Sequence, residues 1–139
     1  MYRLFLDDIR QPYEVGNYIN PVELRKQYRV YEWVIVRNYP AFVKYITDNG
    51  IPNVISFDHD LADGHYHSNM QNGVLNYKGD SFEVDMNKTG YHCAQWLIDY
   101  VIEHNKTLPE YFVHSMNPVG KENIISLFKS FKNFNYGTI

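Results

Sequence analysis

The chain carries a single cysteine, Cys93, among its 139 residues. No internal disulfide can form, and the expectation is a reducing, cytoplasmic setting. There is no apolar run near the length that spans a bilayer, and no basic stretch followed by an apolar one at the start. Those absences set aside a membrane-spanning protein and a secretory leader. An excess of positive charge is missing too: 13 Lys and Arg against 16 Asp and Glu leave a net charge of -3 and a pI near 6.0. A broad basic surface for gripping nucleic-acid backbone is thereby excluded, so phosphate recognition has to be local. No repeat period and no low-complexity block stands out. What the chain has in quantity is aromatic residues, 13 Tyr and 8 Phe, and a length that suits one domain over residues 1–139 with one core.

The most informative stretch is Asn53-Val54-Ile55-Ser56-Phe57-Asp58-His59-Asp60-Leu61. Its apolar run lacks the alternation of a half-exposed strand and reads as a strand covered on both faces, as in a parallel sheet. Charge begins where the strand stops. Ligands of open α/β sheets sit outside the carboxyl ends of the strands, so titratable residues at that point are placed for chemistry. The N-terminus repeats the pattern: Tyr2 to Leu6 reads as a strand that stops at Asp7 and Asp8, followed by Arg10 and Pro12.

The remaining chain supplies the layers. A short helix is expected from Pro21 with Asn20 as its cap, then a strand over Tyr28 to Val36 ending in Arg37, whose guanidinium is placed to reach an anion. Tyr39 to Asp48 has helical spacing with a C-cap signal at Asn49-Gly50. Residues 62–88 are irregular and rich in turn signals; they are expected to form a lid, with a hairpin of Val74–Tyr77 and Ser81–Val84 around Lys78-Gly79-Asp80. His65 and His67 are commonplace for a polar loop, with metal binding the minority reading. The strongest helix is Tyr91 to Glu103, whose Cys93, Trp96, Leu97, Tyr100 and Val101 share one face. Cys93 is therefore read as a buried small hydrophobe, and His92 as a first-turn residue of undecided role. A last strand, Tyr111 to Val113, ends in His114-Ser115-Met116-Asn117-Pro118. A closing helix, Val119 to Phe134, then turns Ile124, Ile125, Leu127, Phe128 and Phe131 inward, with Gly120-Lys121 a candidate phosphate cradle at its start.

This order makes a mostly parallel four-stranded sheet with helices on both faces. Parallel neighbours are expected to bring Asp7, Asp8, Asp58 and Asp60 to one edge, with Arg10, Arg37, His59, His114, Ser115 and Asn117. Four carboxylates in one crevice call for a counter-charge, and a divalent cation supplies it. Oxygen ligands suit Mg²⁺ or Mn²⁺; added imidazole would bring in Zn²⁺ or iron.

The blocks Leu6-Asp7-Asp8-Ile9-Arg10 with Pro12, Phe57-Asp58-His59-Asp60-Leu61, Thr89-Gly90-Tyr91, and Val113-His114-Ser115 with Asn117-Pro118-Val119-Gly120 run in order along nearly the whole chain. Together they resemble the cyclic-phosphate-processing receiver-like domains of bacteria and phages. The resemblance implies a receiver-like (flavodoxin-like) α/β fold whose acidic strand ends bind metal and act on cyclic phosphates. It matches Asp7 and Asp8 to the receiver acidic pair, Asp58 or Asp60 to the phosphoacceptor position and Ser115 to the hydroxyl after the next strand. The chain departs from ordinary receivers in lacking a fifth strand with its lysine and in placing His59 and His114 beside carboxylates. His92 stands where that family has an acid.

The combined expectation is a metal-dependent phosphoesterase for RNA 2′,3′-cyclic phosphate ends or cyclic nucleotides. Asp7, Asp8 and Asp58 hold the metal. His59, His114, Ser115 and Asp60 are catalytic, and Arg10, Arg37, Thr89, Gly90, Asn117 and Lys121 bind substrate. Two other readings compete: a non-catalytic receiver-like module that binds a nucleotide or partner protein and regulates it, and a phage-encoded effector whose aromatic surface binds a host protein. Histidine beside carboxylate at two strand ends favours the enzyme.

Overall fold

Arg3–Leu6 form the first strand, β1, whose burial on both faces leaves no solvent-facing alternation. A computed structural model describes residues 1–61, 70–71, 74–75 and 88–137. After β1 come α1 (Pro12–Val15), a 3₁₀ turn (Val22–Leu24), α2 (Arg25–Arg29), β2 (Val34–Val36), α3 (Tyr39–Asn49) and β3 (Val54–Phe57). The chain continues through β4 (Met70–Gln71), β5 (Val74–Leu75), α4 (Gly90–Glu103), β6 (Glu110–Val113) and α5 (Pro118–Gly137).

The strand order is β4-β5-β2-β1-β3-β6. The four strands β2, β1, β3 and β6 are all parallel, β5 joins β2 in parallel, and β4 closes that edge antiparallel to β5. This is the receiver-like α/β arrangement expected from the sequence. Val74 and Leu75 are strand residues, but their partners are Ile35, Val36, Met70 and Gln71. The expected pairing with Ser81–Val84, the residues of the 62–88 lid reading other than β4, β5 and Lys88, and with them His65 and His67, lie outside the described residues.

Two other expectations are corrected. The strand predicted over Tyr28 to Val36 is only Val34–Val36: Tyr28 and Arg29 close α2, where Tyr28 packs its ring against Phe5 and Trp33. Helix starts earlier than Pro21 as well, because Pro12 at the first turn and the Gln11/Glu14 capping box nucleate α1.

The two sheet faces differ. Leu4, Leu6, Ile55 and Phe57 point to one face, where α3, α4 and α5 bring Phe42, Leu97, Ile124 and Phe128 into the larger core. Phe5 and Ile35 point to the other, under α1 and α2, in a smaller core with Val15, Ile19 and Tyr28. Ser56, between Ile55 and Phe57, falls on this second face by strand alternation and is wholly buried.

Candidate active site

The sheet itself assembles the site. Chain order reverses between β1 and β3: β1 leads to β2 on one side, and β3 returns on the other, leaving a crevice at their carboxyl ends. The ladder runs one residue past each strand. Asp58 N–H donates to the Leu6 carbonyl at 2.9 Å, His114 N–H to Phe57 at 2.9 Å and Asp7 N–H to Val36 at 3.2 Å. Each of these residues is thereby pinned as the first beyond its strand.

Asp7 is fully buried and meets four donors. Its Oδ1 accepts from the backbone N–H groups of Ile9 (2.9 Å) and Arg10 (2.7 Å), which fixes the turn after β1. Its Oδ2 is 3.0 Å from His114 Nε2 and 3.3 Å from Arg10 Nη1. Burial works to raise the Asp7 pKa, but the His114 contact and the backbone donors outweigh it and hold the carboxyl at about 2. Behind it, burial pushes the His114 pKa below its ordinary value, against the opposing pull of Asp7.

Asp58 behaves oppositely. Burial, reinforced by the charge of Asp7, lifts its pKa to about 7, although the His59 N–H donates to Oδ1 at 2.8 Å. Ligand oxygens of Asp7, Asp8 and Asp58 all lie within 4.8 Å of one another. A carboxyl driven to neutral pH beside two others marks a place short of positive charge, and three hard oxygen donors suit a divalent cation. Among the described residues no imidazole joins this group. Part of the shortfall is met by Arg10, whose Nη1 lies 3.9 Å from Asp58 Oδ2 as well as against Asp7.

At the rim, His59 Nδ1 lies 2.9 Å from Asp60 Oδ1, and Asn117 donates to both oxygens of the same carboxylate. The His59 ring sits against Gly120, where a Cβ would come within 2.3 Å of it; Gly90 admits the Asp58 carbonyl in the same way, at 1.8 Å. Those two glycines let the first turns of α4 and α5 close onto the 58–59 loop. Thr89 and His92 form a capping box in which the imidazole takes the place usually held by Glu or Gln, accepting the Thr89 N–H at 2.9 Å. An open groove of about 660 Å³ runs from His59 past Thr89, Tyr91 and His92 to Asn123 and Ser126 of α5.

The family model of the cyclic-phosphate processing receiver domain matches residues 2–130. The chain belongs to that family. No curated protein and no solved structure matches it. Its family name places it in cyclic-phosphate processing, and its acidic triplet is a site able to bind a divalent cation, as in receiver domains. Among the described residues no helix is long and apolar enough to cross a membrane.

Several assignments change within this receiver domain. Asp60 does not join the acidic group; its side chain is 68% exposed and serves His59 instead. Arg37 does not line the crevice: it is buried and braces the turn, donating to the carbonyls of Asp7 and Arg10. His114 is also buried, with one nitrogen on Asp7 and the other on Ser56, so it stands behind a carboxylate rather than facing a substrate. The Gly120 N–H is capped by Asn117 Oδ1 at 3.0 Å and the Lys121 N–H by the Asn117 carbonyl, which leaves no open cradle at those two amides. Ser115 Oγ, almost buried, accepts from the Asn117 N–H. Gly90 packs and Thr89 caps, with Thr89 also lining the groove. Cys93 is buried among apolar neighbours, and burial pushes its thiol up. Two residues went unselected by sequence reasoning, Tyr28 and Ser56. The signal for Ser56 was present, since a hydroxyl inside a strand covered on both faces needs a partner.

Proposed function

We propose that this protein is a metal-dependent phosphoesterase that opens cyclic phosphates on RNA ends or nucleotides, acting in the cytoplasm. The observation that carries the reading is the juxtaposition, across one pair of strand ends, of three convergent carboxylates and a carboxylate-paired histidine. Asp7, Asp8 and Asp58 hold the cation, Mg²⁺ or Mn²⁺ by their all-oxygen donor set. The cation, when bound, neutralises these carboxylates and draws charge from a phosphoryl oxygen.

The protein's own groups do the rest. Opening the ring adds water to phosphorus, with the proton of that water passing to solvent, and breaks a P–O bond to the sugar, whose leaving oxygen takes up a proton. His59 is placed to supply it: Nδ1 is engaged by Asp60, which leaves Nε2 for the leaving oxygen, and Gly120 and Asn117 fix the ring and its partner. Arg10, whose guanidinium lies against Asp7 and Asp58 at the same crevice, is the group that would bind the phosphate oxygens. The groove beside His59 falls in the size range of small-molecule sites and is lined by hydroxyl, amide and aromatic groups that suit a nucleoside.

One observation favours a second reading. Arg10 already offsets part of the acidic charge, so a regulatory module that binds a nucleotide without metal is consistent with the same crevice. Incubation with 2′,3′-cyclic-phosphate RNA ends and with cyclic mono- and dinucleotides, with and without Mn²⁺ or Mg²⁺, separates them. The enzyme reading requires cation-dependent ring opening of at least one of these. Tight binding without turnover and without a metal requirement supports the module instead.

A further inference from the structure

The second sheet face carries a polar line that the proposed chemistry does not itself require. Tyr28 Oη lies 2.6 Å from Ser56 Oγ, Ser56 Oγ lies 2.6 Å from His114 Nδ1, and His114 Nε2 lies 3.0 Å from Asp7 Oδ2. Ser56, His114 and Asp7 are 0% exposed and Tyr28 is 2% exposed. The line joins the smaller core to the acidic crevice without touching solvent.

Its hydrogen-bond directions follow from the chemistry of each group. An ionised Asp7 only accepts, so His114 Nε2 carries the proton. In the tautomer with its single proton on Nε2, the ring accepts at Nδ1 from the Ser56 hydroxyl, and the Tyr28 hydroxyl donates to Ser56. In that tautomer every link has one orientation. The rings are held in plane as well: His114 stacks on Phe5 with centroids 4.5 Å apart at 5°, and Tyr28 stacks on Trp33 at 5.4 Å and 8°.

The geometry points to Tyr28 and Ser56 as positioning residues that set the tautomer of His114 and, through it, the aim of the Asp7 carboxylate as a cation ligand. The inference rests on the metal reading above and adds to it the groups that hold the ligand. Partners one step behind metal ligands commonly contribute about 10- to 100-fold in affinity; His114 is that partner, and Ser56 and Tyr28, two and three steps behind Asp7, are expected to contribute less. Tyr28→Phe removes one hydroxyl and keeps the ring in its stack. Ser56→Ala breaks the line next to the imidazole.

The test is Mn²⁺ affinity of the full chain, measured by calorimetry, combined with ¹⁵N spectroscopy of the His114 ring. Wild type is expected to carry its ring proton on Nε2 before any metal is added. Ser56→Ala is expected to weaken Mn²⁺ binding by about 10-fold and Tyr28→Phe by about 3-fold, less than the roughly 10- to 100-fold of a group that touches the ligand itself. In the Ser56→Ala background, Tyr28→Phe should have no further effect on Mn²⁺ affinity, and the ring spectrum separates loss of the His114 tautomer from loss of packing. Should Ser56→Ala fail to fold, Tyr28→Phe and the ring spectrum decide. Variants that bind Mn²⁺ like wild type, or a wild-type ring protonated on Nδ1, overturn the relay and leave the metal reading standing. A wild type without Mn²⁺ affinity overturns both.

Discussion

The two faces of the sheet are built from alternate residues of the same strands, and they do different work. The face of Leu4, Leu6, Ile55 and Phe57 is dry, packed by three helices. The face of Phe5 and Ser56 is smaller, more aromatic, and threaded by Tyr28, Ser56 and His114 up to Asp7. Alternation lets one four-residue strand, β3, serve both: its odd-numbered residues build stability and Ser56 connects to the crevice. Substitutions on the first face should act on the folding equilibrium, and those along the second on the site.

The sharpest break is at the rim. His59→Ala should lower ring-opening turnover by about 10²- to 10⁴-fold, the usual scale for a general acid. Mn²⁺ affinity should stay within a few-fold, because His59 is outside the acidic triplet. A loss of Mn²⁺ binding equal to the loss of turnover would move His59 into the metal site.

Next in size is the dry face. Phe42 is wholly buried against Phe57 and Trp96, so Phe42→Ala should cost about 3–5 kcal/mol by urea unfolding. The fraction that remains folded should bind Mn²⁺ normally. A specific loss of affinity without destabilisation would erase the distinction between faces.

Acid dependence separates Asp7 from Asp58. The lowered Asp7 pKa contributes stability present above about 3.8 and lost as pH falls toward 2. The raised Asp58 pKa has the opposite sign: between about 3.8 and 7 the folded chain keeps a proton that the unfolded chain releases, so stability falls as pH rises through that window. Thermal melts without metal should therefore decline from about pH 4 to pH 7. Asp58→Asn should flatten that decline, and saturating Mn²⁺ should oppose it by binding the ionised form. An unchanged profile in Asp58→Asn would assign the slope to other groups.

The smallest effect is expected at the surface. Lys44 and Asp48 make an exposed i,i+4 pair at 2.9 Å on α3, and Lys44→Ala should change stability by about 0.5 kcal/mol or less. A change above about 1 kcal/mol by the same unfolding measurement would mean that exposed charge matters more here than either core face implies.

The architecture was readable wherever pattern and position coincided. The apolar run before Asp58, the i, i+3, i+4 face of Cys93, Trp96 and Leu97, and acids following two strands all led to the observed sheet and helices. Tyr28 was misplaced because aromatic and β-branched residues around it mimic a strand, while tertiary packing against Phe5 and Trp33 keeps it in a helix. The site was legible in membership more than in arrangement. Sequence brings Arg37, His114 and Asp60 to the right edge, but whether a side chain turns into the crevice or away from it depends on depth. Asp7 and His114 sink below Asp58, and Asp60 stays at the surface. Gly120-Lys121 reads as a cradle because free backbone N–H groups and a cation fall near a helix start; the physical reason for Gly120 is the His59 ring lying where a Cβ would be.

The central claim is that Asp7, Asp8 and Asp58 form one cation site, and a Mn²⁺ titration of wild type and Asp58→Asn near neutral pH tests it most directly. The account requires a single saturable site in wild type whose affinity rises as pH increases through about 7, and its loss in a folded Asp58→Asn. A wild type that binds no Mn²⁺, or an Asp58→Asn protein that binds it equally well, contradicts the account.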